Sequence, residues 1–228
     1  MRKYLSIILL VIIAAGIALS LKEIPFGIPK TKIGGHFIDK GVEETGAVNI
    51  VTSVVVNYRA FDTLGEITIL FAAAVGLGAV LATSGKRKAG KKVEPASLIV
   101  YTGCRFLFPI IMLTGAYIFI HGHLTPGGGF QGGAIIASAF LLMYLGCQGK
   151  RIKTNVSTAV EVLGGLTFIG IGLAGMITGG DFLYNFLPKG EPNMLFSAGI
   201  IPVIYIAIGF KVGSELAGII DNLIGKSQ

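Results

Sequence analysis

The chain has 228 residues, 53% of them hydrophobic and only 14% charged, with a mean hydropathy of +0.77. Soluble domains carry about 25% charged residues, so the composition excludes a soluble enzyme, a disordered tail and a nucleic-acid module. The 34 glycines follow no G-X-Y period, which excludes collagen and instead suits helices packed closely in lipid.

A bilayer core needs about 20 apolar residues per helix, and six stretches qualify or nearly do. They are Tyr4–Leu21, Leu64–Thr83, Leu98–Ile120, Phe130–Gly146, Val160–Gly179 and Leu195–Gly218. The first follows Arg2 and Lys3 as a signal peptide would. Its small residues, Ala14 to Ala18, lie inside the apolar run and offer no cleavage site, so it is expected to stay as a helix. Between the first two spans, Pro25, Gly27 and Pro29 punctuate the chain before it becomes periodic. Asn49, Thr52, Ser53 and Asn57 fall on one helical stripe, and Val48, Val51, Val55 and Tyr58 on another. This predicts a short amphipathic helix at the outer interface or against a partner; the β-branched run from Thr52 to Val56 also fits a strand.

The stretch Thr83–Pro95, with five cations, reads as a linker between a two-helix segment, 1–92, and a four-helix segment, 93–228. The fold class expected is all-α integral membrane, with about six transmembrane helices and a short amphipathic interfacial helix. The net charge of +7 lies in short clusters. Lys86 to Lys92, Lys150 to Lys153, Arg2, Lys3 and Lys226 fall on one side of the bilayer, whereas the short connections on the opposite side carry only Lys189; the connection 22–63 holds further cations, but a stretch that long weighs less. Positive-inside bias then places both termini in the cytoplasm of a multi-pass cell-membrane protein. It also makes a nucleic-acid partner unnecessary. Cys104 and Cys147 are too few for a disulfide framework or a thiolate metal site, and no cofactor is expected on this chain.

Asp62 and Glu66 stand four apart where the amphipathic segment meets the second span, and on a helix they share a face. An acid within a span costs about 2.5–3.5 kcal/mol on insertion scales and faces protein or water. Two stacked carboxylates, with Thr63 beside them, can share a proton or hold a transient Na+. The competing reading is a helix start, with Asp62-Thr63 as the N-cap. Lys211 and Glu215, four apart in the last span, are either a structural ion pair or part of a proton path. Arg105, two turns into the third span, needs a carboxylate, a carbonyl or the interface. Glu161 has a sufficient explanation at a helix start.

The run from His121 and His123 through Pro126, Gly127, Gly128, Gly129, Phe130, Gln131, Gly132 and Gly133 formally contains G-x-G-x-x-G. It follows a membrane span instead of a strand, and no acid stands about 20 residues on, so a dinucleotide site is rejected. Pro126 suits a helix start, and the glycines suit close backbone approach. The two histidines do not share a helical face and have no third ligand nearby, so interfacial hydrogen bonding outweighs metal binding. Gly129-x-x-x-Gly133 and Gly175-x-x-x-Gly179 signal close helix contacts.

Two of these motifs carry a family resemblance. Tyr58-Arg-Ala-Phe-Asp-Thr-Leu-Gly-Glu66 resembles the signature in the C-terminal part of the large A-type component of Mrp-type sodium/proton antiporters. Gly122-His-Leu-Thr-Pro-Gly-Gly-Gly-Phe-Gln-Gly-Gly133 resembles that of the Mrp B-type component, MnhB. Together they imply an A-type tail over 1–92 joined to a B-type segment over 93–228. The resemblance implies a non-catalytic subunit of a multisubunit cation/proton translocating module. Its partners would be other antiporter-like subunits or, as in archaeal membrane-bound hydrogenases and sulfur-reducing complexes, hydrogenase-like and iron–sulfur redox subunits. It also implies that Asp62 and Glu66 belong to the cation path, and that the glycine-rich motif serves mainly interface and packing. The chain lacks the long proton-translocating helix set of a full A-type component and would not be an antiporter alone.

Overall fold

A computed structural model describes residues 2–22, 31–83, 96–147 and 151–227, and no strand occurs among them. The elements are α1 (Arg2–Lys22), α2 (Thr31–Thr45), α3 (Ile50–Thr52), a π-helical turn (Ser53–Tyr58), α4 (Ala60–Thr83), α5 (Leu98–Ile120), α6 (Gly129–Gly146), α7 (Thr154–Gly179) and α8 (Ile201–Ser227). Helices α4 to α8 are each long and apolar enough to cross a membrane, and α1 carries a shorter apolar stretch, Ile7–Lys22. The protein is a multi-pass, all-α membrane protein. Beyond Thr83, the expected linker (84–95) lies outside the described residues, with its cations Lys86 to Lys92. So do Pro25, Gly27, Pro29 and Lys150.

The chain forms two compact units, Met1–His36 and Phe37–Gln228. In the first, α1 exposes its apolar side chains from Ile7 to Leu21. In the second, α8 is the central helix: α4, α5, α6 and α7 all pack on it, and α5 also packs on α6. More than half of the α8 span is buried, against 6% of α4. One face of α8 supplies Ile201, Ile204, Tyr205, Ile208 and Val212 to the core.

Close approach of α6 to its neighbours depends on the glycine run. A Cβ on Gly132 would sit 2.6 Å from the Gly115 carbonyl oxygen of α5, and one on Gly133 2.9 Å from that of Gly209 on α8. Gly129 and Gly133 thus make the helix contact that their spacing predicts. Gly175 and Gly179 do not: the cleft they leave on α7 is filled by Tyr184, whose ring lies 2.1 Å from a Cβ on Gly179. The chain turns back at Gly180, in the left-handed conformation (φ +86°), and brings that ring onto the helix it has just left. A small-residue groove takes whichever bulky group lies nearest, and here the nearest group is a loop residue.

The segment before α4 differs from expectation in two respects. It contains α2, which its low apolar content and its glycines at 34, 35 and 41 conceal from a periodicity argument. The polar stripe of the next helical piece also turns inward, onto this chain's own loop. Asn49 caps α3 by accepting from the Val51 N–H (3.1 Å), and Arg59 N–H reaches Val54 O at 2.8 Å, the longer repeat of a π-turn. Local capping and docking thus override the strand preference of Val54-Val55-Val56.

Candidate functional site

Helix α4 begins at Ala60, so Asp62 lies in its first turn and is not its N-cap. Arg59, just outside the helix, pairs through Nε with the Asp62 carboxylate. Thr63 is buried and its hydroxyl donates to Val55 O at 2.7 Å, tying the π-turn to α4. Glu66 is exposed, one turn further on, and close enough to Tyr205 of α8 to interact with it electrostatically. The two acids therefore occupy i and i+4 of one helix, but Asp62 already carries a counter-cation.

The glycine-rich motif forms the turn between α5 and α6. Asn49 donates through Nδ2 to the carbonyls of Gly122 and Thr125, both at 2.9 Å. Thr52 donates to Gly122 O at 2.6 Å and accepts from the Tyr205 hydroxyl at 3.0 Å. Asn49 N–H donates to His123 O at 3.0 Å. His121 stacks on Tyr117, with 4.1 Å between ring centroids. His123 is fully buried, and neither ring nitrogen has a hydrogen-bond partner. Burial holds its pKa below the usual imidazole value against the raising influence of nearby backbone at Met194, Leu195 and Ile120. The two histidines are thus in different environments and do not converge. Pro126 and Gln131 are exposed, and Phe130 packs against the core. Gly127 passes close under Ile118 O, at 2.9 Å from a Cβ placed there. Gly128 sits at φ +150°, ψ 178°, a conformation essentially confined to glycine.

At the same end of the bundle, the loop after α7 meets the segment before α4. Asn185 donates to Thr45 O (3.3 Å) and to Ala198 O (3.2 Å), and accepts from Ile200 N–H (3.0 Å). Lys189 donates to Glu43 O at 3.1 Å. A cavity of about 430 Å³ opens there, lined by Glu44, Asn57, Tyr58 and Asp181 among others. Tyr58 donates to Glu44, and burial first, then that bond, pushes its phenol up to about 12.

Towards the other end, Lys211 and Glu215 form a buried pair on α8, Nζ to Oε2 at 2.6 Å. The Lys211 ammonium also lies 5.7 Å from the centre of the Phe71 ring of α4. Glu161 of α7 lines a cavity of about 170 Å³ together with Glu215. This partnership is not legible in the sequence, where Glu161 reads as a helix start. Helix α7 begins at Thr154, so Glu161 is two turns inside, beyond the reach of the terminal dipole. Arg105 rests over the Tyr101 ring, 5.6 Å from its centre. Cys104 and Cys147, far apart in sequence, are buried together with their sulfurs 2.9 Å apart. Among the described residues no group of three or more metal-ligating side chains occurs.

Comparison with known proteins places these features in a family. The model of a domain related to the MnhB subunit of Na+/H+ antiporters matches residues 99–218, more than half of the chain. The chain belongs to this family. The region matched contains the glycine-rich turn, Glu161, Lys211 and Glu215. A second family model, that of the MbhE component of MBH, matches residues 1–94, which contain Asp62 and Glu66. The B component of the Na+/H+ antiporter of Alkalihalophilus pseudofirmus is 35% identical over 99 residues, 42% of this chain and 69% of that protein. A chain of the membrane-bound sulfane sulfur reductase, an archaeal respiratory membrane complex, is 46% identical with a TM-score of 0.78 over 97% of both chains. A chain of the Mrp complex from Dietzia sp. matches all of this chain but only 26% of its own length, at 24% identity and a TM-score of 0.73, a likeness of fold.

Proposed function

We propose that the protein is a membrane subunit of a multisubunit Mrp-like module that translocates a monovalent cation, Na+, in exchange for protons, and that it lines or supports the cation path. The observation that carries this reading is membership of the MnhB-related family over 99–218. It is supported by the antiporter B component, 69% of whose length is covered. The chain divides functionally into an A-type tail over 1–92 and a B-type segment over 93–228; the matched regions, which end at 94 and begin at 99, support that division. Its basic connections and both termini face the cytoplasm, as positive-inside bias requires. It binds no cofactor of its own.

Asp62, Glu66 and Thr63 at the start of α4, and the Lys211–Glu215 pair on α8, are the residues assigned to ion movement. Glu66 is the first choice because its carboxylate is exposed and Asp62 is engaged by Arg59. In the assembled complex, Glu66→Gln is expected to abolish sodium-dependent proton transport with assembly intact, and Asp62→Asn to impair it. Normal transport in both variants would make the chain a packing subunit.

A second reading is favoured by the 46% identity over 97% of both chains with the sulfane sulfur reductase component: the module is the ion-pumping arm of a redox-driven complex. Mild detergent extraction from native membranes, native-gel separation and mass spectrometry of co-migrating proteins separate the two. Antiporter-like subunits alone support exchange; additional hydrogenase-like or iron–sulfur subunits support the redox-driven arm. Isolation of the chain without partners, from a complex shown to be intact, would overturn both.

A further inference from the structure

Glu161 lies seven residues inside α7, about 10 Å along the helix axis, and its charge interacts with Glu215 and Lys211 on α8. Of these three side chains Glu161 is half-buried, whereas Lys211 and Glu215 are 8% and 1% exposed. The Lys211 ammonium occupies Oε2 of Glu215 at 2.6 Å. Oε1 of Glu215 is buried and has no hydrogen-bond partner. Glu215 and Glu161 both line the cavity of about 170 Å³, whose wall continues past Ser157, Thr158 and Asn222 to Asp221, towards the α7 start and the α8 end. A water needs about 10–15 Å³ of such volume, so the cavity has room for several. Here a buried carboxylate oxygen without a donor belongs to a residue that lines a hydratable cavity, and a second carboxylate lines the same cavity.

Charge arithmetic decides what the cluster takes up. Two carboxylates and one ammonium leave a single negative charge, which one proton neutralises. A sodium ion would contend with the ammonium already held on Glu215 and be repelled by it. Among the described residues, the other charged or titratable groups lining the cavity are Asp221, which is held by Arg151 at 2.5 Å, and Tyr144 of α6. From helix α4 the Phe71 ring lies against the Lys211 ammonium and Ala74 lines the cavity.

We infer that Glu161, Glu215 and Lys211 form a proton-loading site between α7 and α8, entered through the cavity beside Thr158. A hydronium ion in the passage gives its proton to the Glu161 carboxylate and leaves water. The resulting carboxylic acid then passes the proton to Oε1 of Glu215. The inference deepens the translocation reading and rests on it for its role, although the site itself can be tested apart from transport.

The test is infrared difference spectroscopy of the native complex in lipid, with pH stepped at constant sodium and sodium stepped at constant pH. Acidification is expected to produce a carboxylic-acid C=O band that shifts in D2O. Glu161→Gln, a half-buried position without a hydrogen bond to break, should remove it, as should the charge-balanced pair Glu215→Gln with Lys211→Met. Glu66→Gln should leave it in place. A wild-type spectrum without the band, or a band that survives both Glu161→Gln and the paired change, overturns the site. Loss of the band on adding sodium makes it a cation site and overturns the proton assignment. Normal sodium transport in the Asp62 and Glu66 variants would sink the transport reading and leave the band unaffected, so the two failures are distinguishable.

Discussion

His123 concentrates the physics of the turn between α5 and α6 in one side chain. Its imidazole is fully buried and both nitrogens lack partners, so the neutral form is the one that packing tolerates. The lowered pKa sets the sign of its linkage to stability. Above the usual value of 6.5, the unfolded imidazole is also neutral and the contribution of folding is complete. As pH falls below that value, the unfolded chain takes up a proton that the folded chain refuses, and stability is lost. Thermal unfolding in detergent should therefore show an acid-side decline starting near 6.5 that is weaker in His123→Leu. An equal decline in both proteins would show that other groups set the acid limb. The same residue marks how far sequence reasoning reaches. The spacing of His121 and His123 argues against a shared metal, but burial of one ring and stacking of the other follow only from where the loop lands.

At the scale of elements, the glycines of α6 act by position and not by number. Gly132 abuts backbone on α5, and backbone cannot swing aside as a flexible side chain can. Gly132→Ala should destabilise the bundle by about 1–3 kcal/mol through overpacking, read as a lower unfolding temperature. Gly170→Ala on α7, where a Cβ meets nothing within 4 Å, should leave it unchanged or raise it. If both variants behave alike, close helix approach is not what these glycines provide. The long apolar helices were legible because a hydrophobic run of span length has few alternatives. Helix α2 was not: its fifteen residues carry three glycines and a polar majority, so nothing in their periodicity distinguishes a helix from a loop.

At the scale of the molecule, residues 37–83 of the second unit are held to those after the linker by a polar seam. Asn49 and Thr52 bind the α5–α6 turn and Tyr205, and Thr45 and Glu43 accept from the α7–α8 loop. A chain cut within 84–95 should still co-purify as two fragments, and Asn49→Ala with Thr52→Val should release them. Each carbonyl left unsatisfied costs about 1–3 kcal/mol. Separation of the unaltered fragments would mean that the linker itself holds the halves together. By itself the sequence determined the membrane environment, the spans and the family resemblance, since hydropathy and two long motifs are local properties of the string. Only the tertiary structure decided which polar groups meet. It turned the amphipathic stripe inward onto the glycine-rich turn, and it set Arg59 on Asp62. It also brought Glu161 to Lys211 and Glu215 across about fifty residues of chain. Such meetings depend on helix start points and on how α7 and α8 pack, and one residue of shift in either rotates a side chain by about 100° around its helix.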